Sequence, residues 1–499
     1  MSRTTDLDPS AGPGQRSLTG QAFRGMSWSF LGAMGQAVLQ FVAIAVLSRL
    51  VTVQEFGTAA AATVVTGLAV MLSQLGIGAA VVQARRLERD DISSAFVLAS
   101  ALGFVLAAVL IALAPLIGPL VGLSADASYL QLLSIVLVLG AMSVVAQGLL
   151  QRQLRFRALA LVDLLSYAIG YLGTAVTLAV AGFGAASLIW GQIVQAAVAA
   201  VVSYALVRHE VRPRRPSAML ASARRLLGFG SAYSVAQLGN WTANNGDNLV
   251  VASLLGPAPL GIYARAYQLL VQPANLIGSV ADKVLFPTMS RIQDDHARLS
   301  RAYVTANSLI AMLTMPAGVL LFVLAPEVVA ILLGPGWEAV VLPLQIFAVV
   351  LLPRTAYKIS GSLTRATGAV VGGALRQWIY AGLVVVGCAV GSRWGINGVA
   401  VGASLAIVLH TAIMLKFSAR IQRGLVARVL VAYAKSLPLA LVVAAACWPL
   451  ASWLRGTTPA ALVGLATVAA GVSAAALTLL LTRRFFGEEI ALLRRGRRG

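Results

Sequence analysis

The positive charges of this 499-residue chain fall on alternate sides of a ladder of apolar segments. Fourteen apolar runs can be counted as spans. Nearly all of the 38 Lys and Arg then lie in the two ends, in even-to-odd loops, or at span ends beside those loops. Arg393 and Arg455 alone fall in odd-to-even loops, while Arg49, Arg265 and Lys283 lie within or at the edge of spans. Membrane insertion retains Lys and Arg on the cytoplasmic face, so a one-sided pattern marks a polytopic membrane protein with both ends inside. It also accounts for the net charge of +21 without nucleic acid.

Composition agrees. Apolar residues make up 59% of the chain and charged residues 11%. Runs of roughly 20 apolar residues match a hydrocarbon layer of ~30 Å at 1.5 Å per helical residue. Backbone groups in lipid must be satisfied internally, which leaves helices or a closed barrel. The runs are longer and more continuously apolar than barrel strands, so the expected fold is all-α with about fourteen transmembrane helices. Cys388 and Cys447 both fall inside spans and read as small core residues rather than a disulfide. No Cys/His cluster suggests a metal, and no cofactor is expected. The motifs G-x-x-x-x-G-K-[ST], H-E-x-x-H and G-x-S-x-G are absent, so the chain is not read as an enzyme.

The chain also repeats itself. An offset of 204 sets Gly35 on Gly239, Gln36 on Asn240, Gln40 on Asn244 and Gly57 on Gly261. An offset of 211 sets Gly184 on Gly395 and Gly191 on Gly402, at the turn into the sixth helix of each half. Two matches in the same order indicate a six-plus-six duplication. An even number of spans per half makes the halves parallel, related by a pseudo-two-fold axis along the membrane normal, with substrate expected between them. The organisation expected is a disordered cytoplasmic tail (1–25), an N-terminal six-helix lobe (26–207) and a basic cytoplasmic connector with six arginines (208–227). A C-terminal six-helix lobe (228–417) follows, then a basic linker with helices 13 and 14 (418–482) and a basic cytoplasmic tail (483–499).

The seventh span is anomalous. Its centre, QLGNWTANNGDNLV (237–250), is too polar to face lipid. Gln237, Asn240, Trp241, Asn244, Asn245 and Asn248 recur at helical spacing on one face, with Asp247 close beside them. An ionised carboxylate at mid-bilayer costs ~2.5–3.5 kcal/mol on insertion scales, which calls for a water-filled cavity or a charged partner. Amides also glue helices through interhelical hydrogen bonds, but six polar or amphipathic residues on one stripe favour a cavity. The repeat brings Gln36 and Gln40 to the same cavity from the first span. Arg49, Arg265 and Lys283 complete the candidate substrate-binding set as a cationic path for an anionic head group, since a guanidinium presents a planar fork of donors to diphosphate. Snorkelling to the interface is the alternative for Arg49. His410, inside the twelfth span, reads as a packing residue. Asp247 is the candidate for a coupling cation.

The segments LSRLVTVQEFG (47–57), LGIGAAVVQ (75–83), QRQLRFRALALVD (151–163), DNLVVASLLGPAPLGIYARAYQL (247–269) and LFPTMSRIQDD (285–295) occur in the order found in bacterial oligosaccharide flippases. Over roughly residues 25–430 the chain resembles the Wzx-type polysaccharide transporters of the multidrug/oligosaccharidyl-lipid/polysaccharide exporter superfamily, most closely the colanic-acid-type branch. The resemblance implies two six-helix lobes around a central, often cationic cavity. It implies that an undecaprenyl-diphosphate-linked oligosaccharide is flipped across the bacterial cytoplasmic membrane by alternating access, for export of cell-surface polysaccharide. The matched positions carried over are Arg49, Gly57, Asp247, Gly261 and Tyr263. Two extra C-terminal helices resemble those of the longer lipid-flipping branches, where they form a groove for the polyprenyl tail. The partners expected are that lipid-linked oligosaccharide, membrane lipids, and further a polysaccharide polymerase and export machinery. A drug exporter of the same superfamily and a non-transporting scaffold of a glycan assembly complex are the alternative readings.

Overall fold

The structure, a computed structural model, describes residues 18–74, 76–84, 87–123, 127–208, 235, 237–420 and 424–481. For 18–30, 89, 276–277 and 279–284 it describes the backbone alone. Residues 1–17, the connector from 209 to 227 and the C-terminal tail from 483 therefore lie outside the described residues, whereas residues 18–25, expected as part of a disordered tail, are helical. Those described are helical and contain no strand.

The first half comprises α1 (Leu18–Leu50), α2 (Val53–Gln74) with its short continuation α3 (Ile77–Gln83), α4 (Arg89–Leu120) and α5 (Ser128–Arg152). It is completed by α6 (Phe156–Tyr167), which passes through a π-helical segment (Ala168–Ala175) into α7 (Val176–Val180), and by α8 (Ala185–Leu206). The second half comprises α9 (237–254), α10 (Pro257–Arg291), α11 (His296–Val323), the short α12 (Ala325–Leu332) and α13 (Val341–Val349). It continues through α14 (Leu351–Ala366), α15 (Val370–Gly391) and α16 (Gly395–Ser418), and α17 (Leu425–Leu454) and α18 (Ala460–Leu481) follow. Joined across short breaks, these make about fourteen rods in two six-helix lobes plus a C-terminal pair.

By length and hydropathy, 10 of the described helices suffice to cross a membrane, or 11 with the bent pair α13–α14. α15 and α16 form one continuous apolar stretch, Val370–Ser418, and α9 and α10 are not among these helices. The last two fall short because their polar residues lower the mean, and they are the two helices that divide the interior.

The repeat is visible in how backbones touch. Gly57 of α2 abuts the Pro257 carbonyl of α10, and Gly261 of α10 abuts the Val53 carbonyl of α2. The two contacts exchange under the offset of 204, so the helices cross on the pseudo-two-fold axis. Gly35 packs on Leu164 as Gly239 packs on Trp378, and Gly191 meets Gly170 as Gly402 meets Gly387. Gly184 caps α8 and Gly395 opens α16, with positive φ of 52° and 69°, a region that only glycine adopts without strain. The apolar core of both lobes is continuous across this crossing, where Phe56, Tyr263, Trp337 and Phe347 are buried together.

Proline explains a sharp bend in the second half. The axis turns by 47° between α13 and α14. Pro353, in the first turn of α14, has no N–H to give to the Val349 carbonyl, so the helical ladder breaks there. Beyond the bend α14 runs to Ala366.

Candidate functional site

Two chambers flank α9, one in each lobe. The C-terminal chamber has a volume of about 610 Å³. Asn240 and Asn244 of α9, Asn275 of α10, Gln377 of α15 and His410 of α16 line it, together with one face of α14. That face carries Arg354, Lys358, Gly361 and Arg365, at steps of four, three and four residues, so all four share one helical stripe. The N-terminal chamber, of about 570 Å³, takes Gln40 of α1, Thr63 of α2, Gln192 and Gln195 of α8, and Asn244, Asn245 and Asn248 of α9. Arg265, Gln268 and Gln272 of α10 and Tyr167 and Tyr171 of the π-bearing segment complete it. Asn244 belongs to both chambers and stands between them.

Arg354 is the focus of the C-terminal chamber, although only 2% of it is exposed. Its guanidinium donates to the Tyr380 hydroxyl at 3.0 Å and to Asn244 Oδ1 at 3.1 Å. It also lies over the rings of Tyr267 and Tyr357, at 5.5 and 5.6 Å. These contacts hold a charge where lipid could not, because hydroxyl, amide and π-faces replace its water. Its Nε has no hydrogen-bond partner among the described residues. Lys358 Nζ donates to Asn275 Oδ1 at 2.7 Å. Arg365 lies nearer the α14–α15 turn, with its guanidinium 5.9 Å over Phe286. His410, 1% exposed, stacks on Tyr380 with ring centroids 4.3 Å apart, and its Nδ1 also lacks a partner among the described residues.

The N-terminal chamber is built of amides and rings. Gln272 donates to Gln40, joining α10 to α1. Gln192 donates to the Thr63 hydroxyl at 2.9 Å. Arg265 lies 4.0 Å over the Phe56 ring and donates to Gln268 Oε1 at 2.6 Å. Tyr167 and Tyr171 stack nearly coplanar at 5.0 Å, at the start of the π-helical segment. Such segments displace side chains from the α-helical register, and here two rings one turn apart face the chamber.

The expected residues divide. Gln40, Asn240, Asn244, Asn248 and Arg265 line the chambers. Gln36 is half-buried on α1 and lines neither. Gln237 lines a separate pocket of about 130 Å³ beside α2, α3 and α5. Trp241 packs against Gly67 of α2, as an interhelical contact. The Lys283 side chain lies outside the described residues. Arg49 sits at the opposite end of the molecule from Arg365, where it donates at 2.7 Å to the Ile331 carbonyl in the last turn of α12. A guanidinium there satisfies an orphan carbonyl and complements the helix dipole. Arg49 therefore bridges the lobes rather than lining a chamber. Asp247 turns away from both chambers into the core, with 1% exposure. Its carboxylate accepts from the Tyr263 hydroxyl at 2.8 Å and from the Asn248 N–H at 2.8 Å. A phenol, a backbone amide and the nearby charge of Arg354 together meet the cost of its charge.

Sequence reading missed the α14 stripe, because Arg354 and Lys358 fit the end of a span beside a basic loop. Their four-residue step, continued by Arg365 on the same face, was the available signal. The pairs Gln192–Gln195 and Gln268–Gln272 carried the same kind of signal.

At the α1–α2 end the lobes are sealed. The glycine crossing, the Arg49 bond and a 2.9 Å bond from the Trp337 indole to the Ser48 carbonyl close it.

Such an arrangement defines a two-lobed, polytopic helical protein with a polar interior between matched halves. The chain belongs to the polysaccharide biosynthesis protein family, whose match spans residues 46–342, more than half of its length. It is 26% identical over 401 residues to the lipopolysaccharide biosynthesis protein WzxC of Escherichia coli (strain K12), covering 79% of this chain and 80% of that one. It is 29% identical over 322 residues to the succinoglycan biosynthesis transport protein ExoT of Rhizobium meliloti (strain 1021), covering 63% of each. Its fold matches the lipid II flippase MurJ in an inward closed conformation with a TM-score of 0.74, at 14% identity, over 93% of this chain and 100% of MurJ.

Proposed function

We propose that this protein flips an undecaprenyl-diphosphate-linked oligosaccharide across the bacterial cytoplasmic membrane by alternating access, supplying cell-surface polysaccharide. The observation that carries this reading is the pair of polar chambers on either side of α9, in a molecule sealed at its α1–α2 end. An interior that hydrates sugars and phosphate but is closed at one face suits a carrier. The names of WzxC, ExoT and MurJ point to glycan biosynthesis, transport and lipid flipping.

On the charge pattern, the basic α14–α15 face is cytoplasmic and the sealed face external. The chambers take the head group from the cytoplasmic side. Amides of α1, α8, α9 and α10 exchange hydrogen bonds with sugar hydroxyls in place of water. The polyprenyl chain stays in lipid, because each methylene withdrawn from an apolar phase costs about 0.8 kcal/mol. Parting of α2 from α10 then opens the external face. The basic α14 stripe disfavours a cationic drug as cargo.

A deletion strain tests the reading. Lipid-linked glycan should accumulate in the inner leaflet and be cleared when the intact gene is restored. Normal glycan export without such accumulation would refute it.

A further inference from the structure

We infer that the carrier binds its lipid in a fixed orientation across the two lobes: the α14 stripe Arg354–Lys358–Arg365, with His410 at its deep end, is a diphosphate site, and the first sugars lie beyond Asn244 in the N-terminal chamber. This rests on the flippase reading and goes beyond it, by giving each lobe a different part of the substrate.

The chambers differ in chemistry. In the C-terminal one, three cations step along one face of α14, from Arg365 near the turn to buried Arg354. In the N-terminal one, amides and stacked tyrosines predominate, and Arg265 is engaged by Phe56 and Gln268. Two polar atoms at the deep end of the stripe, Arg354 Nε and His410 Nδ1, are buried without a partner among the described residues. Both side chains line the chamber and are at least 98% buried. Buried polar atoms left unpaired in a protein interior are costly, and a ligand that accepts from them removes the cost. A diphosphate has the acceptors and the charge to do so, and guanidinium holds it bidentately.

Covalent order then fixes direction. The diphosphate stands between the prenyl chain and the first sugar. With phosphate on α14, the prenyl chain leaves on the C-terminal side. The sugar passes Asn244, the residue common to both chambers. The N-terminal chamber offers what a sugar needs: amide donors and acceptors, and the flat faces of Tyr167 and Tyr171 for its C–H face.

The test measures binding to the intact protein in nanodiscs. The probes are undecaprenyl diphosphate without sugar, the same lipid carrying its oligosaccharide, and inorganic diphosphate. Lys358→Gln and Arg365→Gln, at positions less buried than Arg354, should weaken the sugar-free lipid by about tenfold or more each, the loss of one charge-assisted contact. Gln192→Ala and Gln195→Ala should leave the sugar-free lipid unchanged and remove the preference for the glycan-bearing one. Equal binding of the sugar-free lipid by wild type and the α14 variants would overturn the assignment while leaving the flippase reading intact. So would its loss in the α8 variants. Inorganic diphosphate binding as tightly as the lipid would make this a free-anion site and overturn the orientation. Failure of the wild-type protein to bind either lipid would remove the flippase reading itself.

Discussion

Arg354 and Asp247 are both buried charges, but they are held in different ways. Asp247 is closed off by Tyr263, whereas Arg354 lines a chamber and its Nε has no partner among the described residues. Tyr380→Phe removes one of Arg354's two side-chain acceptors. A hydrogen bond to a charged group contributes about 1.5–3 kcal/mol, so the purified variant should melt several degrees below wild type. An unchanged Tm would mean that the hydroxyl does not hold the guanidinium. Asp247→Asn keeps the shape and removes the charge. If Asp247 couples transport to a cation, the variant's transport loses its dependence on pH and sodium. Full retention of both would end that role. Asn240, Asn244 and Asn248 were legible as chamber residues because amides repeating at helical spacing in an apolar span need a polar neighbour. Arg354 was not, since Asn244, Tyr267 and Tyr380, which help to hold it, stand on three other helices.

The α2–α10 crossing is the element on which opening depends. A Cβ on Gly57 would sit 1.7 Å from the Pro257 carbonyl oxygen, and one on Gly261 would sit 2.4 Å from that of Val53. Neither fits without parting the helices. Gly57→Ala should therefore favour the state open at the α1–α2 face. A cysteine at Ile44, which lines the N-terminal chamber, should then react faster with a hydrophilic thiol reagent applied from that face. Gly382→Ala is the control, for nothing lies within 4 Å of its added carbon, and its labelling should match wild type. Equal labelling of all three would mean that the crossing is not a gate. The six-plus-six match made this pair of glycines visible as equivalent. That they touch across the axis was not visible, because an offset relates positions without stating their separation.

The C-terminal pair is tied to the rest of the molecule along its length. Tyr433 donates to Asn307 at 2.7 Å, and Arg428 to Ser300 at 2.8 Å. At the α1–α2 end, Arg455 forks onto buried Glu327 of α12 at 2.8 and 3.0 Å. The same short helix receives Arg49 from the other lobe, so the pair connects through α12 to the sealed face. Removing 425–481 strips apolar packing from α11, and it leaves buried Glu327 without the 39%-exposed Arg455, a loss expected to cost about 1 kcal/mol. Glu327→Gln in the truncated chain should recover most of that. If α17 and α18 guide the prenyl chain, the stabilised truncation inserts normally but does not clear lipid-linked glycan from the inner leaflet. Transport at the wild-type rate would show that the pair is dispensable.

The order of residues alone sets the number of crossings, their alternation and the kinship of the halves, because lipid imposes one length and one polarity on every span. It also marks α9 as a helix that needs a polar neighbour. Folding in three dimensions decides which charges enter the interior. A bend at Pro353 swings α14 inward, and distant tyrosines and an asparagine make a buried guanidinium tolerable. The same packing takes Arg49 and Asp247 out of the chambers, since the surroundings of a charge depend on helices that meet only in the folded protein.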